Sequence, residues 1–445
     1  MLYVGFILLW VFCGFQVLFR VGLERMCWFF VGILLVPDMI DVLRLSPLLG
    51  HMFYVTLFLG SLVLHGEFRL SNFLTCPVVK PLLFVFLSCF LVGLFDFRVG
   101  PLRGVFRGIV DFLGTYFLVY VGWFAVGHEN DFSRTNGTFF VKMVPVLFIV
   151  TIYGCITFFT HTNPVLDVFG LDGRFLSETD LGTYREFRVT SFLVSSSVYG
   201  LVCSFFFLCL FVLLENKTKA QWLCTVLLFV NVFFSATRAA IIPFIVGGVL
   251  WILLDRGVGR LMIYSFSLIF LFTISLFLLP DSIEVYISQV VGSVLDVILP
   301  GGYGTVEYGG STMEGRGMQI MAAMRFLMEK PLFGHGFSYY GEVLFDGGHH
   351  ETLLGMESYL CFLGVEYGLV YSFAVLYFFI KLASYFWANR SSSRMYSDLG
   401  LALLGLFVLY LIFAWVGGSW YYVMPIFGYL MRMIKLGEST INGRL

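Results

Sequence analysis

The sequence predicts an all-α fold, a single polytopic membrane domain over 1–445 with about twelve crossings and a large outer loop holding an amphipathic helix. Three observations predict it. The chain is 59% hydrophobic and 12% charged, where soluble domains are roughly half apolar and about a quarter charged. Apolar runs recur at the length of about 20 residues that a helix needs to cross roughly 30 Å of hydrocarbon. The polar residues gather into two long stretches, 160–190 and 281–358, instead of being spread evenly.

Taken in order, the runs place crossings near 2–19, 26–43, 45–64, 79–95, 109–126, 140–159, 190–214, 220–237, 239–254, 261–280, 359–387 and 399–434. The first, MLYVGFILLWVFCGFQVLFR, has no positive leading segment and no small-residue cleavage site, so it reads as a retained helix, not a signal peptide. Two runs are weak spans: 26–43 ends in PDMIDVLR, and 109–126 carries Asp111 and two glycines. The last is expected to break at Gly417, Gly418 and Pro425. No repeat of fixed period and no inverted pair of broken helices of the transporter kind is visible. The 281–358 stretch is too poor in apolar residues to bury a large core, and is expected to lie as helices on the membrane mouth.

A net charge of −1 lacks the basic stripe that nucleic-acid binding requires. The nine cysteines are scattered through apolar runs without Cys-x-x-Cys or Cys/His spacing, and read as small core residues instead of metal ligands.

Orientation follows from the short loops, since cytoplasmic ones carry excess Lys and Arg. The turns ENKTK (Glu215 to Lys219), DRGVGR (Asp255 to Arg260) and NRSSSR (Asn389 to Arg394) are short and basic. An even number of spans separates 160–190 from 281–358, so both polar stretches share the side opposite these turns and are expected outside. FRVGPLRGVFRG (Phe97 to Gly108) conflicts with this, because it is basic yet simple counting puts it with the polar stretches. A re-entrant or in-plane 109–126 would remove the conflict, and that is the expectation.

Ionisable groups at the membrane boundary are costly, and each is a functional hypothesis. In FRVTSFLVSSSVYG, Arg188 precedes what reads as a hydroxyl-rich helix start, where free N–H groups and a guanidinium both favour an anion. The bland alternative is that the serines let helices pack closely and Arg188 snorkels to the interface. In FFSATRAAIIPF, Arg238 sits in a tight outer turn among Ser235, Ala236, Thr237, Ala239 and Ala240, whose small side chains would let another molecule approach.

GRGMQIMAAMRFLMEKPLFGHG follows the glycine-rich PGGYGTVEYGGSTMEGRG. Ile320, Met324 and Leu327 form one helical stripe, while Gln319, Arg325 and Glu329 look elsewhere, the last two spaced as an i,i+4 pair. Arg316, between two glycines, is the member whose backbone could approach a phosphate; the run lacks a P-loop ending. Finally, His349, His350, Glu351 and Glu357 lead into a long span, with Glu366 about two turns deeper, where an unpaired carboxylate is costly. A carboxylate or imidazole here could act as general base toward a sugar hydroxyl. Adjacent histidines point apart on a helix, which argues against zinc, and no Gly-x-Ser-x-Gly elbow is present.

These four segments, in this order, resemble the O-antigen polymerase and ligase superfamily of bacterial envelope glycosyltransferases, over roughly Pro145 to Leu382. The family pattern has an arginine after an outer loop opening a span (FRVTSFLVSSSVYG), and an S-x-x-R-small-small turn (SATRAA). It then has an outer loop with an Arg-containing start, an amphipathic helix and a PL-x-G-x-G turn, and lastly a polar-Tyr-Leu helix start with E-x-G-L (ESYLCFLGVEYGL). The resemblance implies a glycosyltransferase-C-like polytopic fold in the bacterial inner membrane, acting in O-antigen or lipopolysaccharide biosynthesis. It implies an undecaprenyl-diphosphate-linked glycan as donor and acceptor, no nucleotide sugar, no cofactor, no metal and a chain-length-regulating partner. Arg188, Arg238 and Arg316 would hold the diphosphate, with His335 and Tyr359 in support. Ligase-type members begin the helix after the large loop with His-Asn; here the position reads Glu357-Ser358. That departure favours polymerase over ligase, with Glu357 as base and His350 in reserve. A lipid-linked sugar flippase fits less well, because its charges belong at mid-membrane.

Overall fold

The structure, a computed structural model, describes residues 2–36, 47–126, 137–169, 188–193, 195–214, 216–257, 259, 292, 313–340, 358–414 and 419–441. Among these the protein is helical throughout, and six helices are long and apolar enough to cross a membrane: Pro101–Trp123, Thr138–Thr160, Ser196–Leu213, Arg238–Asp255, Tyr359–Ala388 and Arg394–Phe413. Val4–Phe19, Met52–Leu64, Val79–Leu94 and Lys219–Phe234 are shorter apolar helices. This is an all-α protein built for a membrane. The run expected at 261–280, and most of the 281–358 stretch, lie outside the described residues.

The helices are α1 (Leu2–Phe19), α2 (Gly22–Leu35), α3 (Pro47–Leu64), α4 (Leu70–Leu74) and α5 (Val79–Leu94). Next come α6 (Pro101–Gly114), a 3-10 turn (Tyr116–Leu118), α7 (Val119–Trp123), α8 (Thr138–Thr160) and α9 (Pro164–Val168). They continue with α10 (Ser196–Leu213), α11 (Lys219–Phe234), α12 (Arg238–Arg256) and α13 (Met313–Glu329). Last are α14 (Tyr359–Phe362), a π turn (Leu363–Tyr367), α15 (Gly368–Ala388), α16 (Arg394–Phe413) and α17 (Ser419–Ile441).

The last apolar block divides between Phe413 and Ser419, as its glycines suggest, but Pro425 lies inside α17 without ending it. α17 is the hub: Trp420, Val423, Met424, Ile426, Phe427, Tyr429 and Leu430 are all fully buried, against α2, α7, α10 and α16. Lipid tails are as apolar as the side chains, so helices associate in a bilayer through close packing more than through the hydrophobic effect. The glycines supply that closeness. A Cβ on Gly428 would run into Val119 O, and one on Gly122 into Pro425 O, so α7 and α17 touch backbone to backbone. Gly93 and Gly104 do the same for α5 and α6. Gly428→Val must therefore force α7 and α17 apart, at the top of the roughly 1–3 kcal/mol range for overpacking; a lowered unfolding temperature in detergent checks it.

Two faces emerge from the contacts at the helix ends. On one, Arg390 and Arg394 both donate to Leu254 O at 3.1 and 3.0 Å, joining two of the basic turns. Arg432 Nε donates to Val126 O at 3.2 Å, Lys435 Nζ to Thr75 O at 3.0 Å, and Arg25 Nη2 to Phe124 O at 3.3 Å. On the other, Arg98 Nη2 donates to Phe337 O at 2.8 Å and Val189 N to Phe234 O at 3.2 Å. The described ends of the polar stretches, at 188–189 and 331–340, thus lie away from the basic turns.

FRVGPLRGVFRG is on the polar-stretch face too, which overturns the expectation that 109–126 re-enters. α6, the 3-10 turn and α7 run in one traverse from Asp96 and Phe337 to Val126 and Arg432. The features that weakened this run as a span have local partners: Gly122 packs on α17, and Asp111 accepts from Tyr371 Oη. The basic residues are held by protein groups, Arg98 beside the buried Asp96 carboxylate at 3.6 Å, so their charge does not need the cytoplasmic side. Cys76, buried in the turn before α5, has its thiol pushed up to about 12 by burial, which keeps it a protonated packing residue.

Candidate functional site

The arginine turn is built from three pieces. Asn163, 5% exposed, caps α9 through Leu166 N and accepts from Tyr153 Oη at 2.8 Å. Its amide donates to Thr190 Oγ1 at 3.0 Å and Ser191 O at 2.8 Å. Ser191, at φ 53, donates to Val150 O at 2.7 Å. This fixes 189–191 as a turn on the end of α8, and Val189 N then bonds Phe234 O at the end of α11. The backbone is thereby pinned immediately after Arg188, at Val189, four residues of chain from the Phe234 carbonyl to Arg238 at the start of α12. Both arginines are partly buried.

Two expectations change here. α10 begins at Ser196, not beside Arg188, so Thr190 and Ser191 lie in a turn while Ser195 to Ser197 open the helix, and Arg188 is not in its first turn. The small residues of SATRAA are packed, not open: Ser235, Ala236, Ala239 and Ala240 are buried, and a Cβ on Gly200 of α10 would crowd Ser235 and Ala240. Small side chains admit a neighbouring helix. Asn163→Ala removes the two bonds from the α9 cap to Thr190 Oγ1 and Ser191 O; roughly 1–3 kcal/mol of stability goes with a buried group left unpaired. The unfolding temperature should drop.

The second construction joins two motifs some thirty residues apart in sequence. PLFGHG docks on EYGLV through the main chain: His335 N to Val365 O at 3.3 Å, Gly336 N to Glu366 O at 3.0 Å, Leu369 N to Pro331 O at 2.7 Å, and Val370 N to Leu332 O at 3.1 Å. Gly334 and Gly368, both with positive φ, allow it, since a Cβ on Gly334 would meet Glu366 O and the Gly368 nitrogen. The Glu366 carboxylate accepts from Ser338 N at 3.0 Å and Tyr340 N at 2.9 Å. The costly carboxylate noted in the sequence is satisfied by closing this turn. Arg98 and Arg107 both donate to Phe337 O, at 2.8 and 3.4 Å, from the α5–α6 side.

His335 is 6% exposed. Its Nδ1 lies 3.0 Å from Val365 O, which can only accept, so Nδ1 carries the proton; Nε2 lies 3.3 Å from Glu329, and the ring stacks on Tyr339 at 4.6 Å. It anchors the turn. Glu329 therefore meets His335 as well as facing solvent, and α13 buries Gln319, Ala322 and Ala323 while Ile320, Met321 and Met324 are exposed. The Ile320, Met324, Leu327 stripe thus lies off the face that packs on the protein, where Ala323 meets Gly364.

Tyr359, 3% exposed, opens α14 with its hydroxyl 2.9 Å from Tyr116 Oη. Arg316 belongs to α13, but its side chain lies outside the described residues, as do Glu357, His349 and His350. Among the described residues no group of three or more His, Cys, Asp or Glu is placed to hold a metal ion. α16 packs against α10, α12, α14 and α15, and Tyr410 Oη donates to Ser197 Oγ at 3.4 Å, so one helix backs both the arginine turn and Tyr359. Sequence reasoning passed over Tyr116 and Tyr371, whose hydroxyls meet near Asp111; an aspartate inside an apolar run was the available signal. No protein-family model matches the chain, and no curated protein matches it.

Proposed function

We propose that this protein is a polysaccharide polymerase of a bacterial inner membrane, a glycosyltransferase-C-like helical protein with about twelve crossings. It transfers a growing glycan from undecaprenyl diphosphate to the non-reducing end of a new lipid-linked repeat unit, on the outer face. The observation that carries this reading is the main-chain bond from Val189 to Phe234, which joins the segment holding Arg188 to the end of α11, just before Arg238, on the face opposite the basic short loops. Two guanidinium forks at one site suit a diphosphate, gripping it and stabilising the charge it gains on leaving through charge-assisted bonds. Arg316 is assigned to the same diphosphate. Glu357, with His350 in reserve, takes the acceptor hydroxyl's proton. The segment 331–340, tied to both α5–α6 and α15, is the hinge of an outer lid.

Purified protein given a synthetic undecaprenyl-diphosphate oligosaccharide decides the matter. A ladder without any other acceptor is the expected product. Glycan delivered only to lipid A core or to protein makes it a ligase, and transbilayer movement with no covalent product ends the enzyme reading.

A further inference from the structure

At the basic-turn face, several arginines have a carboxylate of their own. Arg390 and Arg394 share Asp398, Arg25 meets Glu67 at 2.8 Å and Arg20 meets Glu24 at 3.1 Å. Arg432 and Lys435 of α17, both partly buried, make no ion pair among the described residues. The carboxylate whose charge reaches Lys435 is Glu438, and it accepts instead from Ser392 Oγ of the NRSSSR turn at 3.3 Å. The titratable groups that act on Arg432 are Tyr385 and Cys76, neither of them a carboxylate.

The two cations are also held close together. They stand one helical turn apart on α17, where like charges on neighbouring positions disfavour each other. Both lie against the buried ring of Trp123, with Arg432 Cζ 5.1 Å and Lys435 Nζ 5.4 Å from its centroid. Main-chain carbonyls fix each head, Val126 O taking Arg432 Nε and Thr75 O taking a proton of Lys435. The terminal guanidinium nitrogens and the remaining ammonium protons make no hydrogen bond among the described residues. An indole wall on one side and unused charged donors on the other form a seat for the oxygens of an anion.

What lies beside the seat says which anion. Thr75 directly follows α4, whose Phe73 docks on Phe117 and Phe124 with ring centroids 6.3 and 5.0 Å apart, while Leu70 and Leu74 of the same helix are exposed. Cations next to outward apolar side chains match a molecule that is anionic at one end and greasy at the other. We propose that Arg432 and Lys435 bind the phosphodiester headgroup of an anionic phospholipid from the leaflet on the basic-turn side, its acyl chains running along Leu70 and Leu74. The headgroup must be net negative, because a zwitterionic one brings an ammonium of its own to the two cations. The site is on the face opposite Arg188 and Arg238 and takes no part in the proposed transfer.

The test uses full-length protein in a neutral detergent, with binding of a dansyl-labelled phosphatidylglycerol read by fluorescence. Unlabelled phosphatidylglycerol should displace the probe at least about tenfold better than phosphatidylcholine does. Lys435→Gln should weaken binding about fivefold, and Arg432→Gln combined with Lys435→Gln roughly 30-fold. Arg394→Gln removes an arginine that already has Asp398, and should leave binding within about twofold of wild type. Equal displacement by the two lipids overturns the site, and so does full binding by Lys435→Gln, which decides the question if the double variant does not fold. Equal losses in Lys435→Gln and Arg394→Gln reduce the effect to net charge and overturn it as well. Displacement of the probe by millimolar sodium phosphate, at an ionic strength matched with sodium chloride, makes the ligand a free phosphate and removes the lipid.

Discussion

Arg238→Ala should reduce polymer formation by at least about 100-fold while the protein still reaches the membrane, because a donor aimed at developing charge contributes about 3–4 kcal/mol to the transition state. The physical case lies in how the residue is supported. Thr237 and Ser235 share a hydrogen bond at 3.2 Å, Ser235 also donates to Val232 O, and Ala236 takes φ 49. The turn is thus held by its own backbone and hydroxyls and should survive loss of the guanidinium. Arg238→Lys should remain impaired, since an ammonium cannot make the paired bonds of a planar fork. Ladder length and initial rate with the lipid-linked substrate check both variants; a fully active alanine variant removes Arg238 from the site.

The second large effect is expected at Glu366. Its carboxylate accepts Ser338 N and Tyr340 N, and it is 3% exposed. Glu366→Ala leaves those donors without their acceptor, at roughly 1–3 kcal/mol each where they stay dry. The turn 337–340 should come loose, the unfolding temperature should fall, and chymotrypsin should cut more quickly after Phe337, which the intact turn buries. Glu366→Gln retains one acceptor oxygen and should lie between alanine and wild type. Equal protease resistance in all three would show that the main-chain bonds of 331–336 suffice to hold the segment.

Much of the fold was legible because composition and run length report directly on bilayer thickness. Helices at Thr138–Thr160, Lys219–Phe234 and Arg238–Arg256 follow the apolar runs closely. The side on which 97–108 lies was misread because counting Lys and Arg treats a loop as unpartnered, whereas Arg98 has Asp96 and Phe337 O. The packed face of α13 was not legible because periodicity ranks residues by hydropathy, whereas Gln319 and two alanines form the buried face and Ala323 lies against Gly364. Arg188 and Arg238 were visible as charges at span ends. That Val189 ties one to the other was not, since nothing in a linear pattern reveals a main-chain bond from Val189 to Phe234. Asp111 was noticed only as a defect, for want of the tyrosines that surround it.

The helix that draws α2, α7, α10 and α16 together, α17, is made after every helix it touches. Some 300 residues separate Gly122 from the Gly428 stretch it meets, on the order of 15–60 s of synthesis at typical rates. Until then α7, α10 and α16 have no centre to close upon, and glycine surfaces shaped for backbone contact stand open to lipid. The protein's biogenesis therefore calls for an insertion machinery that shelters half-assembled helices. Mutations in α17 should act as early traffic and degradation defects in the cell before they are ever felt as lost activity.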